Sequence, residues 1–195
     1  MTDIKRSKDE PFLAPIEEPE DPEAKKAYAM MRQYFGKVLT PAKVLNARLP
    51  WDFYTQFYGQ ISQLDRKLEL NPETVMLIRQ RIANLNLCLF CIDSNRAGTI
   101  AAHMDQAKFD ALDKYGTSPL FTEAERAALD YVTELTKDKK VDPETFKRLS
   151  KHYSDREACE IVYLVASEHV YNLTNIGLNI HSDMICDIIK KRGSP

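Results

Sequence analysis

The sequence predicts an all-α protein on three observations: helix-start signatures recur along the chain, the apolar residues between them fall at helical spacing, and glycine is scarce. Thr40-Pro41, Asn71-Pro72-Glu73, Asp142-Pro143-Glu144, Thr122 with Glu125, and Ser154 with Glu157 are the signatures. In each, a side-chain oxygen can accept a first-turn amide, and a proline or carboxylate suits the positive end of the helix dipole. The stretches that follow keep the spacing, as in Ala124, Ala127, Ala128, Tyr131, Val132 and Leu135, or Ile161, Val162, Leu164, Val165 and His169. Only six glycines occur in 195 residues. No run alternates apolar and polar residues up to a hairpin turn, which disfavours a β fold.

Taken in chain order, residues 1–22 predict an extended arm, because Pro11, Pro15, Pro19 and Pro22 each remove a donor and restrict the preceding residue. Phe12, Leu13 and Ile16 give that arm apolar handles for docking on the body or on a neighbouring subunit. Residues 23–195 predict one all-helical domain. Helices are expected near 22–36, 41–48, 51–68, 72–87, 88–102, 104–114, 123–137, 143–152, 155–171 and 173–191. Trp51, Phe53, Tyr54, Phe57 and Tyr58 crowd one of them, and such a stripe is best used in a core or in an oligomer interface, the latter being the preferred reading.

Charge and composition narrow the functional classes. The 27 basic and 29 acidic residues give a net charge of −2 with no strongly basic tract, which argues against a nucleic-acid partner. The charged first ten residues lack the apolar core of a signal peptide, and no run approaches the roughly 18 apolar residues of a membrane span, so the expectation is a cytoplasmic protein without a membrane partner.

The four cysteines, Cys88, Cys91, Cys159 and Cys186, are too few for a disulfide scaffold in a chain able to build its own core. Cys159 and Cys186 sit alone in apolar segments and read as buried thiols. Cys88 and Cys91 are three apart where one amphipathic stretch gives way to another. If the pair opens a helix, its sulfurs share a face, close enough to form a disulfide, and free amides at the helix start stabilise a thiolate. Redox chemistry, buried structural thiols and a metal site all remain open on spacing alone. Zinc would normally want four ligands, and His103, twelve residues beyond Cys91, has no partner beside it; His181 has no motif either. The expectation is no metal and no cofactor.

The segment from Leu70-Asn71-Pro72-Glu73 through Leu87-Cys88-Leu89-Phe90-Cys91 resembles the central helix pair of the carboxymuconolactone decarboxylase family, in its alkylhydroperoxidase D (AhpD) branch. Phe121-Thr122-Glu123-Ala124-Glu125-Arg126-Ala127-Ala128-Leu129, and Tyr153-Ser154-Asp155 through Tyr171-Asn172, resemble the longer, peroxidase-related members, with a second helical lobe after the redox pair. The resemblance covers about residues 45–180. It implies an AhpD-like helical bundle assembling as a homo-oligomer, trimer or hexamer, and a dithiol that reduces hydroperoxides with electrons returned by a thiol reductant protein or a small thiol.

In that family pattern a glutamate precedes the first cysteine by twelve positions and a histidine follows the second by four, together forming a proton relay. Here those positions hold Met76 and Asn95. Methionine carries no exchangeable proton, and asparagine can orient a thiolate or a water but is no base at neutral pH. Substitutes are sought in Glu73, one turn before Met76, and in Glu168 and His169, on the later helix that packs near the dithiol in family members. For each, a structural role competes: Glu73 as a helix-dipole partner, Glu168 as a solvated acid, His169 as a core histidine.

The resemblance therefore implies a CxxC-dependent, peroxiredoxin-type reduction of organic hydroperoxides, with Cys91 becoming a sulfenic acid and Cys88 condensing with it; spacing alone leaves the attacking sulfur open, since the dipole at a helix start favours Cys88 as the family's relay favours Cys91. The alternatives are a disulfide-exchange or redox-sensing protein of the same fold and, as the family's other activity, lactone decarboxylation.

Overall fold

The computed structural model describes residues 10–193, with helices and no strands among them. The first nine residues of the expected arm, the last two residues of the chain and the side chain of Tyr54 lie outside the described residues. Residues 10–21 form no regular element and dock on their own chain: Phe12 N donates to Leu178 O, Ile16 N to Lys43 O, and Tyr28 Oη to Ile16 O, each at 3.0 Å.

Helix α1 (Pro22–Phe35) begins at the Asp21 cap, whose carboxylate accepts from Glu23 N and Ala24 N, and stops at Gly36, held at φ 76°. Helix α2 (Thr40–Val44) is shorter than the expected 41–48, ending in a 3₁₀ turn over Asn46–Arg48. Thr40 does not cap it as anticipated. Instead its N–H and hydroxyl donate to Asp183 at 2.6 and 2.8 Å, a partner 143 residues away. The expected helix 51–68 ends at Asp65 and is interrupted: α3 (Trp51–Phe53) runs through a π turn (Tyr54–Tyr58) into α4 (Gly59–Asp65).

Helix α5 (Pro72–Asn86) is the central element. Asn71 caps it, and its Leu77, Ile78 and Ile82 meet Leu129 and Val132 of α8 (Glu123–Asp138) and Ile161 and Leu164 of α10 (Asp155–Ile176) in the main core. Capping boxes start α8 at Thr122 and α10 at Ser154. The expected 104–114 helix is α7 (Gln106–Asp110) followed by a 3₁₀ turn (Leu112–Lys114), and α9 (Pro143–Leu149) starts at Asp142.

Two expectations fail near the C-terminus. The proposed break between 171 and 173 does not exist, because Asn172 is fully buried inside α10 with its amide bonded on both sides; the break comes at Gly177, and the last helix is α11 (Ile185–Gly193). Cys159 is exposed rather than buried, since the inward face of α10 is carried by Ala158, Ile161, Leu164 and Val165, and Cys186 is half-buried.

Candidate active site

The dithiol sits at a helix junction. Helix α5 ends in a Schellman motif, with Cys88 N donating to Ala83 O at 3.1 Å and Leu87 N to Asn84 O at 3.2 Å. Leu87, at φ 56°, occupies the left-handed position where glycine is usual. The reversed chain leaves Cys88 as the N-cap of α6 (Leu89–Ala101) and Cys91 in its first turn, where Cys91 N donates to Cys88 Sγ at 3.4 Å. The two sulfurs are joined in a disulfide, with Cα atoms 5.3 Å apart. They pack against Ala83, Phe90, Ile92 and Tyr171.

Cys88 is 0% and Cys91 3% exposed, yet the two are not equivalent. Cys91 lines a small cavity of about 200 Å³ with Arg79, Ser94, Asn95, Glu168, Tyr171 and Asn175, whereas Cys88 does not. Glu168, 2% exposed, is the carboxylate of that cavity. Its Oε1 accepts from Asn95 Nδ2 at 3.0 Å and Asn172 Nδ2 at 2.9 Å, and its Oε2 from Arg79 Nη1 at 2.8 Å. Arg79 turns its other nitrogen to Asp65 at 2.8 Å. Burial alone would weaken the arginine's hold on its proton, but the charges of Glu168 and Asp65 outweigh it and raise its pKa above the ordinary value. Burial likewise pushes the Tyr171 phenol up to about 12, keeping it a neutral wall.

Of the residues singled out in the sequence, the structure brings Cys91, Asn95 and Glu168 together. It does not bring Glu73 or His169 there. Glu73 is bound to Lys108 Nζ at 2.6 Å, a cation it shares with Glu125. His169 points away: its Nδ1 lies 2.8 Å from Val165 O and its Nε2 3.3 Å from Lys139 Nζ. Met76 packs against the main core and faces Gly98. Among the described residues no three His, Cys, Asp or Glu side chains are grouped as metal ligands, and no helix is long and apolar enough to cross a membrane.

Sequence reasoning missed Arg79, Asn172, Asn175 and Tyr171. A signal existed for two of them: Glu168, Asn172 and Asn175 recur at i, i+4 and i+7, a polar stripe on the buried face of one helix. Asn175 contributes most directly, donating through Nδ2 to Cys91 Sγ at 3.5 Å.

A second, larger cavity of about 430 Å³ adjoins the first, and Phe90, Ser94, Tyr171 and Asn175 border both. It is walled by α1, α2 and α11 as well as by α6 and α10, and Tyr58 stacks on Tyr171 at its edge with ring centroids 5.4 Å apart.

The all-helical bundle, with its CxxC pair at the start of α6, shares the fold of AhpD-like proteins in the comparisons with solved structures. A protein of Agrobacterium tumefaciens described as a putative antioxidant defence protein AhpD superposes with a TM-score of 0.60 at 22% identity, over 69% of this chain and 97% of its own. A peroxidase-related protein from Silicibacter gives 0.68 at 17% identity, over 91% and 93%. The debrominase Bmp8, crystallised as a cysteine-to-alanine variant with 2,3,4-tribromopyrrole, gives 0.75 at 20% identity, over 91% and 95%. In sequence, the chain is 29% identical to the uncharacterized protein YnjA of Escherichia coli over 168 residues, 83% of this chain and 88% of that one. No family model matches the chain.

Proposed function

We propose that this protein is a CxxC-dependent thiol oxidoreductase that reduces organic hydroperoxides. The observation that carries the reading is the asymmetry of the dithiol: Cys91 alone faces a cavity holding a carboxylate, and Cys88 lies behind it within disulfide reach. In the dithiol state, the Cys91 thiolate attacks the terminal oxygen of the hydroperoxide. The O–O bond breaks, the alkoxide leaves as an alcohol after taking a proton, and Cys91 becomes a sulfenic acid. The Cys88 thiolate then attacks the Cys91 sulfur and hydroxide leaves as water, closing the disulfide. A thiol reductant, protein or small molecule, restores both thiols by exchange.

In this reading Glu168 takes the place of the family's relay. It shares the cavity with Cys91, and a space of about 200 Å³ has room for waters to carry a proton between them. Asn95 and Asn172 hold the carboxylate in position and transfer no proton themselves.

Stopped-flow measurement of thiol loss after adding cumene hydroperoxide to the reduced protein tests the proposal, alongside Cys88→Ser and Cys91→Ser. The expected result is loss of two thiols per chain far faster than for free cysteine, with Cys88→Ser trapping a sulfenic acid and Cys91→Ser inert. Oxidation no faster than free cysteine would overturn it in favour of a disulfide exchanger or sensor.

The likeness to a debrominase, together with an apolar cavity beside the dithiol, favours one second reading. A dithiol supplies the two electrons needed to replace an aryl C–Br bond by C–H, releasing bromide and a proton and leaving a disulfide. Bromide release from 2,3,4-tribromopyrrole by the reduced protein would establish it; its absence removes it.

A further inference from the structure

Residues 10–48 fold as a unit of their own. The arm is held to α1 and α2 by Tyr28 Oη, which lies 3.0 Å from Ile16 O and 3.3 Å from Ala42 O, and by Ile16 N, which donates to Lys43 O. The buried Tyr28, Val38 and Ala42, with Met31 and Ala47 packed against them, form a small cluster apart from the main core of α5, α8 and α10. A unit with so small a core of its own opens at a lower free-energy cost than the body it rests on.

Where this unit meets the body, the larger cavity lies between them in place of a packed core. Met31, Tyr34, Phe35, Leu39, Ala42 and Leu45 line it from the unit. Phe90, Ser94, Tyr171 and Asn175 line it from the body and also border the cavity of Cys91. Cys88 is fully buried and Cys91 nearly so, so a bulky reagent meets the sulfurs only if a wall moves.

One carboxylate gathers the attachment. Leu39 gives α2 no side-chain cap, and Asp183, 6% exposed, takes that role: its Oδ2 accepts from Thr40 N at 2.6 Å, and its Oδ1 from Thr40 Oγ1 at 2.8 Å and Lys37 Nζ at 3.0 Å. Asp183 belongs to the loop between α10 and α11, which Asp93 of α6 grips through Ser182 Oγ and Ile185 N, so the carboxylate is a post fixed to the body. Lighter ties flank it, from Phe12 N to Leu178 O, from Asn179 Nδ2 to Glu10 O, and from the Arg192 guanidinium over the Tyr34 ring.

From these observations we infer that residues 10–48 are a lid on the cavities beside the dithiol, latched by Asp183, and that a thiol too large for those cavities reaches the disulfide only when the latch opens. The inference goes beyond the proposed function: it concerns access to the sulfurs and holds for whatever oxidant they reduce. Lids of this kind govern the entry of reactants and the exclusion of water in many enzymes.

Glutathione and 2-mercaptoethanol, a large and a small monothiol, test it on the oxidised protein. Both act by the same exchange. One thiolate attacks a sulfur of the disulfide, forming a mixed disulfide and freeing the other cysteine; a second attacks the small-thiol sulfur of that mixed disulfide, leaving two cysteine thiols and one small disulfide. Peptide mass spectrometry after an N-ethylmaleimide quench follows Cys88 and Cys91 alone. Asp183→Ala is expected to raise the initial rate with glutathione about tenfold, the effect of one lost charge-assisted hydrogen bond, and the rate with 2-mercaptoethanol less. Hydrogen exchange in the variant is expected to show amides of residues 22–48 losing protection while those of α5, α8 and α10 keep theirs. A ratio of glutathione to 2-mercaptoethanol rates unchanged by Asp183→Ala overturns the inference, as does protection lost equally across the core. Neither measurement uses a hydroperoxide, so the lid can fail while peroxide reduction stands, and the reverse.

Discussion

Asn95 Nδ2 donates to Glu168 Oε1 across 3.0 Å, tying the residue one turn beyond Cys91 to a carboxylate 73 positions later in the chain. The pair places an acid from α10 in the cavity that Cys91 faces, although neither family relay residue is present at 76 or 95. Glu168→Gln keeps the shape and removes the base. It is expected to slow hydroperoxide-driven thiol loss by roughly 10²-fold, because general-base assistance is commonly worth that much. Asn95→Ala, which removes only one positioning bond, is expected to cost less. Stopped-flow rates for the three proteins check this; equal rates for wild type and Glu168→Gln would remove Glu168 from the chemistry.

The same carboxylate is half of a buried ion pair with Arg79, whose side chain is also nearly sealed from water. Replacing one partner strands the other's charge, so Arg79→Met is expected to lower unfolding free energy by about 3–5 kcal/mol. The double variant Arg79→Met with Glu168→Leu removes both charges and is expected to recover a large part of that loss. Urea unfolding with a common slope measures both changes.

The difference between what the sequence disclosed and what it hid follows from the range of the interactions. The starts of α8, α9 and α10 were legible because Thr122, Asp142 and Ser154 satisfy amides two or three residues away, and the cysteine pair was legible because a cap and its first turn are local. Asn172 was misread as a helix boundary because its partners, Asn86 and Glu168, make it a buried interior residue only once α5 and α10 pack. Thr40 failed as a cap for the same reason, since Asp183 claims both of its donors. Arg79 and Asn175 became site residues through contacts 84 to 89 positions away, which no window of spacing reveals.

Asp93 fastens α11 to α6. Its carboxylate accepts from Ile185 N at 2.7 Å, Cys186 N at 3.0 Å and Ser182 Oγ at 2.9 Å, acting as a cap supplied from another helix. Burial raises its pKa, but these bonds, those from the Cys186 and Ile185 amides foremost, outweigh burial and hold it below the ordinary 3.8. A depressed carboxyl contributes stability above its unfolded pKa and loses it as pH falls through the folded one. Asp93→Ala is therefore expected to destabilise by about 1–2 kcal/mol near neutrality, in the range of a lost cap, with the gap from wild type narrowing below about pH 4. Thermal or urea unfolding at a series of pH values checks the sign; a gap that widens on acidification would contradict the assignment.

Leu87 carries a backbone cost with no visible packing return. It holds φ 56° at the end of α5 and is 75% exposed, so its side chain buries little to offset the left-handed conformation. A non-glycine residue there costs about 1–2 kcal/mol, while glycine gives back part of that gain through the greater freedom of its unfolded chain. Leu87→Gly is thus expected to raise unfolding free energy by about 0.5–1 kcal/mol and leave the Schellman bonds from Leu87 N and Cys88 N in place. An oligomer would change the sign, because a leucine seated on a neighbouring subunit would contribute burial that glycine lacks. Urea midpoints for wild type and Leu87→Gly at two well-separated protein concentrations distinguish the cases. Stabilisation independent of concentration marks Leu87 as a strained, solvent-facing cap, and destabilisation confined to the higher concentration marks it as a subunit contact beside the dithiol.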